Sequence, residues 1–172
     1  MNKKPTNISF KQGRYEASQH IDSTTVKNAK AQKGYMICTE CRAVHHDKHW
    51  YTEDESLKKG LPEHLVETLC PGCSMVEKNV WEGTVDITGE FEPAALQEMN
   101  NLIANIESEC RQDNPASRIL SRIDGASKIE IKTTSMWLAK RIGKAIEKAY
   151  GGKLDVTSLP EKPSVHVRWS KE

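Results

Sequence analysis

The chain lacks the features that mark membrane and secreted proteins. None of its apolar runs is long enough to cross a bilayer, and residues 1–35 are polar and lysine-rich, without the apolar core of a secretory signal. Its five cysteines are an odd number, which argues against a closed disulfide framework. We therefore expect a protein of the reducing cytoplasm that has no membrane partner.

The motifs of common enzyme classes are also missing. No glycine-rich phosphate-binding loop occurs, because Gly151-Gly152 follows a predicted helix instead of opening one. Residues 45–49 contain the only dense cluster of histidine and aspartate, and they lack the His-Glu-x-x-His spacing of a zinc protease. We expect no enzymatic activity, no catalytic residues and no small-molecule substrate.

The net charge is small, but the charges are unevenly distributed. The formal net charge is +1, whereas residues 1–35 carry +5, residues 36–110 carry −10 and residues 111–172 carry +6. If the protein binds nucleic acid, the phosphates should meet the first and last segments, while the acidic middle faces a protein partner or solvent. The alternative is that all three charged regions are solvated surface.

Two Cys-x-x-Cys pairs carry most of the chemical information. They are Cys38-Thr39-Glu40-Cys41 and Cys70-Pro71-Gly72-Cys73. Two such pairs supply the four thiolates of a tetrahedral zinc site, which has no open position for water or substrate. The sequence therefore predicts one structural Zn²⁺ ion bound by Cys38, Cys41, Cys70 and Cys73, in a zinc-ribbon-like module.

The 28 residues between the pairs exceed the spacing of about 15–20 in a plain zinc ribbon and indicate an insert. A redox-active pair is a weaker alternative, because no strand–helix pattern is predicted around either pair. His45, His46 or His49 could replace one cysteine as a ligand, although packing or surface roles suit them better. Trp50 and Tyr51 are expected to pack over the metal site.

The chain divides into three predicted segments. Residues 1–34 form a flexible basic tail without helical or strand periodicity, residues 35–79 form the four-cysteine zinc module, and residues 80–172 form an α+β domain. Within the zinc module, residues 35–37 suggest a strand. Thr52 opens a capping box for a helix ending near Gly60, and Pro62 is predicted to start a second helix that extends to Leu69.

The α+β domain has a regular order of predicted elements. Alternation predicts a strand over 80–91, and an apolar stripe that includes Cys110 predicts a helix over 93–111, with Cys110 as a small buried residue. Strands are predicted over 119–123 and 128–133, the first also fitting a helical turn. A helix over 136–150 and strands over 154–156 and 165–169 complete β-α-β-β-α-β-β, the order of a split β-α-β domain of ferredoxin-like or KH-like type.

The last predicted helix carries the candidate RNA-binding residues. Lys140, Lys144 and Lys148 recur at four-residue steps, and Arg141 lies beside them. These side chains can neutralise phosphates, giving salt-sensitive and weakly sequence-specific RNA binding, or they can form a solvated helix face. Base reading by the sheet is not expected, because residues 128–132 contain no aromatic pair and the chain has no Gly-x-x-Gly clamp.

Residues 133–146 (TTSMWLAKRIGKAI), 150–152 (YGG) and 167–169 (VRW) resemble the ribosomal large-subunit export adaptor family, also called the nonsense-mediated decay protein three family. The chain looks like a short prokaryotic relative over residues 38–169. The resemblance implies zinc binding in the first part and association with the large ribosomal subunit or ribosomal RNA, in assembly, quality control or ribosome protection.

The chain also departs from that family. Longer members have more cysteine pairs and further C-terminal domains, so the nuclear-export role is not carried over. The alternative function is a zinc-stabilised protein–protein interaction adaptor with no direct RNA contact. In that case the acidic zinc module docks on a basic protein partner.

Overall fold

The structure, a computed structural model, describes residues 34–125, 127–159 and 163–171, with no side-chain description for Leu159. The predicted basic tail therefore lies outside the described residues except for Gly34. The described residues form two mixed sheets and four helices, an α+β arrangement. No helix in this part of the chain has the length and apolar character needed to cross a membrane.

The first sheet is small and belongs to the cysteine-containing segment. Its strand order is β3-β2-β1-β4, in which β1 and β4 are parallel and the other pairs are antiparallel. Two short helices accompany it. The elements are β1 (Met36–Cys38), β2 (Val44–His46), β3 (His49–Tyr51), α1 (Glu53–Lys59), β4 (Val66–Thr68) and α2 (Pro71–Glu77).

One of the two helices predicted in the insert is present, and the prediction of the other is wrong. Helix α1 begins after Thr52, whose hydroxyl accepts a hydrogen bond from the Glu55 amide at 3.4 Å, and ends at Gly60 as predicted. The second predicted helix is replaced by β4, which pairs with β1 so that Met36 faces Val66. The β-branched residues of β4 suit this pairing, and tertiary hydrogen bonding to β1 overrides the local helix signal of Pro62.

The second sheet has five strands in the order β6-β7-β5-β9-β8 and carries two helices. Its elements follow in the predicted β-α-β-β-α-β-β order: β5 (Gly83–Thr88), α3 (Pro93–Asp113), β6 (Ile119–Asp124), β7 (Lys128–Thr133), α4 (Met136–Tyr150), β8 (Lys153–Leu159) and β9 (Ser164–Ser170). Strand β7 lies between β5 and β6, which is the split β-α-β arrangement. Strand β9 pairs parallel with β5, and β8 forms the outer edge.

Alternate residues of the second sheet form the main core together with one face of each helix. The buried side chains from the strands are Val85, Ile87, Ile129, Ile131, Val165, Val167 and Trp169, and those from the helices include Met99, Ile103, Ile106, Leu138, Ile142 and Ile146. Cys110 is 2% exposed in this core, as predicted. A β-carbon on Gly143 would lie 2.4 Å from Val167 Cγ1, so glycine lets α4 approach β9 closely.

The opposite face of the second sheet is polar, and its charged groups pair with one another. Asp86 lies 2.8 Å from His166 Nε2 and 3.5 Å from Lys128 Nζ. On the neighbouring strands, Arg168 pairs with Asp155 at 2.5 Å. These cross-strand pairs compensate much of the positive charge on this face.

Candidate metal centre and basic helix

The first cysteine pair lies in a tight turn between β1 and β2. The Cys38 amide donates to the Ala43 carbonyl at 2.8 Å, and the Arg42 amide donates to the Cys38 carbonyl at 3.0 Å. Arg42 closes the turn with a φ of 64°, which is uncommon for a residue other than glycine. The turn directs both thiols of this pair to the same side.

The second pair opens α2 directly after β4. Cys70 is the N-cap residue, Pro71 occupies the first turn, and the Cys73 amide donates to Cys70 Sγ at 3.4 Å. A strand and a helix therefore do flank this pair, contrary to the sequence prediction. The missed strand β4 explains the error, because the segment before Cys70 was predicted as helix.

The four sulfurs of Cys38, Cys41, Cys70 and Cys73 lie within 4.8 Å of one another. The Cys41 and Cys70 sulfurs are 3.7 Å apart, close to the edge of about 3.8 Å expected for a tetrahedron with Zn–S bonds of about 2.3 Å. Cys38, Cys70 and Cys73 are buried and Cys41 is half-buried. The four cysteines can therefore hold a metal ion, and their number, chemistry and spacing fit zinc.

The four thiols interact strongly with one another. A hydrogen bond with the Cys70 thiol lowers the pKa of Cys41, and the same bond raises the pKa of Cys70. Burial raises the pKa of Cys73 to about 12. Since zinc binds thiolates, the metal has to displace protons from this group when it binds.

Arg118, from the segment before β6, also lies against the cysteine cluster. Its Nη2 is 3.9 Å from Cys70 Sγ, and the same nitrogen donates to the Pro115 carbonyl at 3.0 Å. Its backbone amide donates to Thr134 Oγ1 at 2.9 Å. Four thiolates and one Zn²⁺ carry a net charge of −2, so a guanidinium here would stabilise the site when zinc is bound. The sequence analysis missed Arg118 because it lies 48 residues from Cys70 along the chain.

The cysteine-containing segment also touches the α+β domain at Gly72. A β-carbon on this glycine would lie 2.5 Å from the carbonyl oxygen of Ala116 and 2.6 Å from its Cα. Both are backbone atoms and cannot move away by changing rotamer. The Cys-Pro-Gly-Cys sequence therefore allows the start of α2 to lie directly against the 115–118 loop.

The nearby histidines and aromatic residues surround the centre without joining the sulfur cluster. His46 stacks between Tyr35 and Tyr51, with ring centroids 5.5 and 4.2 Å away. Trp50 packs against the cysteine cluster as predicted, whereas Tyr51 stacks on His46. Among the residues that the structure describes, the potential metal-binding group consists of cysteines alone.

The predicted basic residues of α4 occupy different environments. Lys144 and Lys148 are exposed, Lys140 is half-buried, and no ion pair joins any of the three lysines to another described residue. Arg141 instead pairs with Glu109 and lies 3.9 Å from Asp113, both on α3. Its guanidinium also donates to Cys110 Sγ at 3.5 Å. Arg141 therefore joins α4 to α3.

Trp137 is an exposed residue at the start of α4 that the sequence analysis did not select. Its side chain is 67% exposed. It precedes Lys140 by three residues and Lys144 by seven, and both spacings place residues on one helix face. That spacing was available in the sequence as a signal for an aromatic residue on the basic face.

No protein-family model, curated protein or solved structure matches the chain. The resemblance to the ribosomal adaptor family therefore stays a prediction. The four-cysteine cluster and the exposed face of α4 are the features from which a function can be proposed.

Proposed function

We propose that this protein is a non-enzymatic zinc protein that binds ribosomal RNA of the large subunit through the exposed face of α4. The observation that carries the proposal is the row of Lys140, Lys144 and Lys148 on a helix whose opposite face is buried in the core. At about 1.5 Å per residue, the row extends about 12 Å along the helix. It can contact successive phosphates of a folded RNA.

The distribution of paired charges favours α4 over the sheet as the RNA-binding surface. On the polar sheet face, Lys128 and Arg168 have acidic partners close by. The three lysines of α4 have no such partner among the described residues. A lysine without an internal partner gives up no ion pair when it neutralises a phosphate and releases a counterion condensed on the RNA, so it contributes more to affinity.

The cysteine centre supports a structural role for zinc in the same proposal. When all four sulfurs bind, no coordination position is left for a substrate or an activated water. The apolar cluster at the centre is small: outside the cysteines it consists of Ala43, Trp50 and Leu69. A metal ion would supply cross-links that so small a core lacks.

The test is co-sedimentation of the zinc-loaded protein with purified large and small ribosomal subunits over a salt series. We expect binding to the large subunit that weakens with salt. Replacing Lys140, Lys144 and Lys148 together by Glu should weaken it by at least tenfold and reduce the salt slope by about two to three. Arg141 is left intact because it joins two helices.

A matched control carries the same change of charge elsewhere: Lys58, Lys153 and Lys171, all exposed, are replaced together by Glu. We expect this variant to retain most of the binding. Absence of binding at low salt would reject the proposal and leave the adaptor function. Equal loss in the two triple variants would reject α4 as the binding surface.

A further inference from the structure

The indole of Trp137 is far more exposed than those of the other three tryptophans. Trp169 is 1% exposed and donates to the Gly151 carbonyl at 2.7 Å, and Trp50 packs on the cysteine cluster. The Lys132 ammonium lies over the ring of Trp81, 4.1 Å from the ring centroid. Trp137 is 67% exposed, more than any other large apolar side chain that the structure describes as exposed.

The surroundings of Trp137 are basic. Lys140 and Lys144 follow it on the same helix face, about 4.5 and 10 Å further along the axis. An exposed aromatic ring beside a row of cations is the combination that binds single-stranded nucleic acid, because the ring stacks on a base while the cations hold the backbone. The apolar face of α4 is already buried in the core, so the helix has no apolar face left to insert into a membrane.

Helix α4 fixes the backbone that carries this ring. Leu138 and Ile142 are four residues apart, and both are fully buried on the core-facing side of the helix. The Met136 amide, in the first turn, donates to the carboxylate of Glu82, the residue before β5. Because the backbone is already ordered, only the side-chain torsions of Trp137 have to be fixed when it binds, which suits the indole to act as a stacking platform.

We propose that Trp137 stacks on an unpaired base of the RNA bound by α4, while Lys140 and Lys144 contact the adjoining phosphates. This inference rests on the proposed function. The inference specifies that the preferred RNA has an accessible single-stranded base in a loop or bulge. A fully paired helix would offer phosphates only.

The test compares two probes, an RNA hairpin with a single-stranded loop and a blunt RNA duplex of equal charge. Trp137→Ala should weaken binding to the hairpin by about 5- to 160-fold, the range of one base–aromatic stack, and leave binding to the duplex unchanged. Trp137→Phe should restore most of the loss. The salt slope should stay at its wild-type value in both variants, because the indole makes no ionic contact.

The control is Ile123→Ala, which removes another exposed apolar side chain, 56% exposed, from the polar face of the sheet. It should leave both affinities unchanged, and the melting temperature should stay the same in all variants. If wild-type protein binds the hairpin and Trp137→Ala binds it equally well, the stacking proposal fails while RNA binding stands. If wild-type protein binds neither RNA but binds a poly-glutamate peptide, both proposals fail in favour of an acidic protein partner.

Discussion

Replacing Arg118 by Met should weaken zinc binding without unfolding the α+β domain. The guanidinium lies 3.9 Å from Cys70 Sγ and reaches the cysteine cluster from a different part of the fold. Met keeps much of the side-chain volume but removes the positive charge. The loaded site, with its net charge of −2, then loses its nearby cation.

The size of the effect follows from two bounds. A pair of unit charges about 4 Å apart interacts by about 4 kcal/mol at an effective dielectric constant of 20, which sets an upper scale. Part of this attraction is offset because Arg118 gives up hydration when it lies beside the cysteines. Solvent also screens the attraction, because Cys41 is only half-buried. Changes to groups that support metal ligands typically cost 10- to 100-fold in affinity, or about 1.4–2.7 kcal/mol, and we expect this range.

The measurement is competition for zinc against a chromophoric chelator at fixed pH and salt. Arg122→Met is the matched control, since Arg122 lies on β6 and pairs with Asp124 and Asn100, away from the cysteines. Arg118→Lys should fall between wild type and Met, because it keeps the charge but loses the planar guanidinium. If Arg118→Met and Arg122→Met had the same zinc affinity, the assignment of Arg118 to the metal environment would be refuted.

Two other predictions concern the metal centre. Cys38→Ser should release zinc and unfold residues 35–79 while α3 and α4 stay folded, because the core that holds these helices does not include the cysteine cluster. Hydrogen exchange measures which segments lose protection. Uniform loss of protection over the whole chain would contradict the prediction. Zinc affinity should fall as pH falls. The raised pKa values of Cys70 and Cys73 keep both thiols protonated at pH 7 when no metal is bound, so zinc has to displace their protons. For each proton displaced, the affinity should fall about tenfold for every unit by which the pH is lowered. Calorimetry in buffers of different ionisation enthalpy counts the released protons, and zinc binding without proton release would argue against this account.

Local signals in the sequence predicted most of the elements. The capping residue Thr52 located α1, and the apolar stripes located α3 and α4 to within two residues at their ends. Period-two alternation located β5 and β7, although β5 is shorter than predicted and β8 is longer. These signals depend on neighbouring residues along the chain, so they are readable without the fold.

The main error arose where pairing between distant segments outweighed local preference. The chain after Pro62 was predicted as helix, but β4 forms because its backbone pairs in parallel with β1, about 30 residues earlier in the sequence. A contact between distant segments also places Arg141, one of the predicted RNA-binding residues, in ion pairs with α3. Neither partner could be identified from spacing alone.

The sequence by itself determined which groups are available: four thiols in two pairs, the basic row on α4, and the helices that carry them. Tertiary structure decided how these groups are combined, since it brought Cys70 to 3.7 Å from Cys41, placed Arg118 beside them and left Trp137 exposed. The physical reason is that covalent order sets local dihedral preferences and residue chemistry. Distances between remote side chains are set only when apolar packing and strand pairing close the chain on itself.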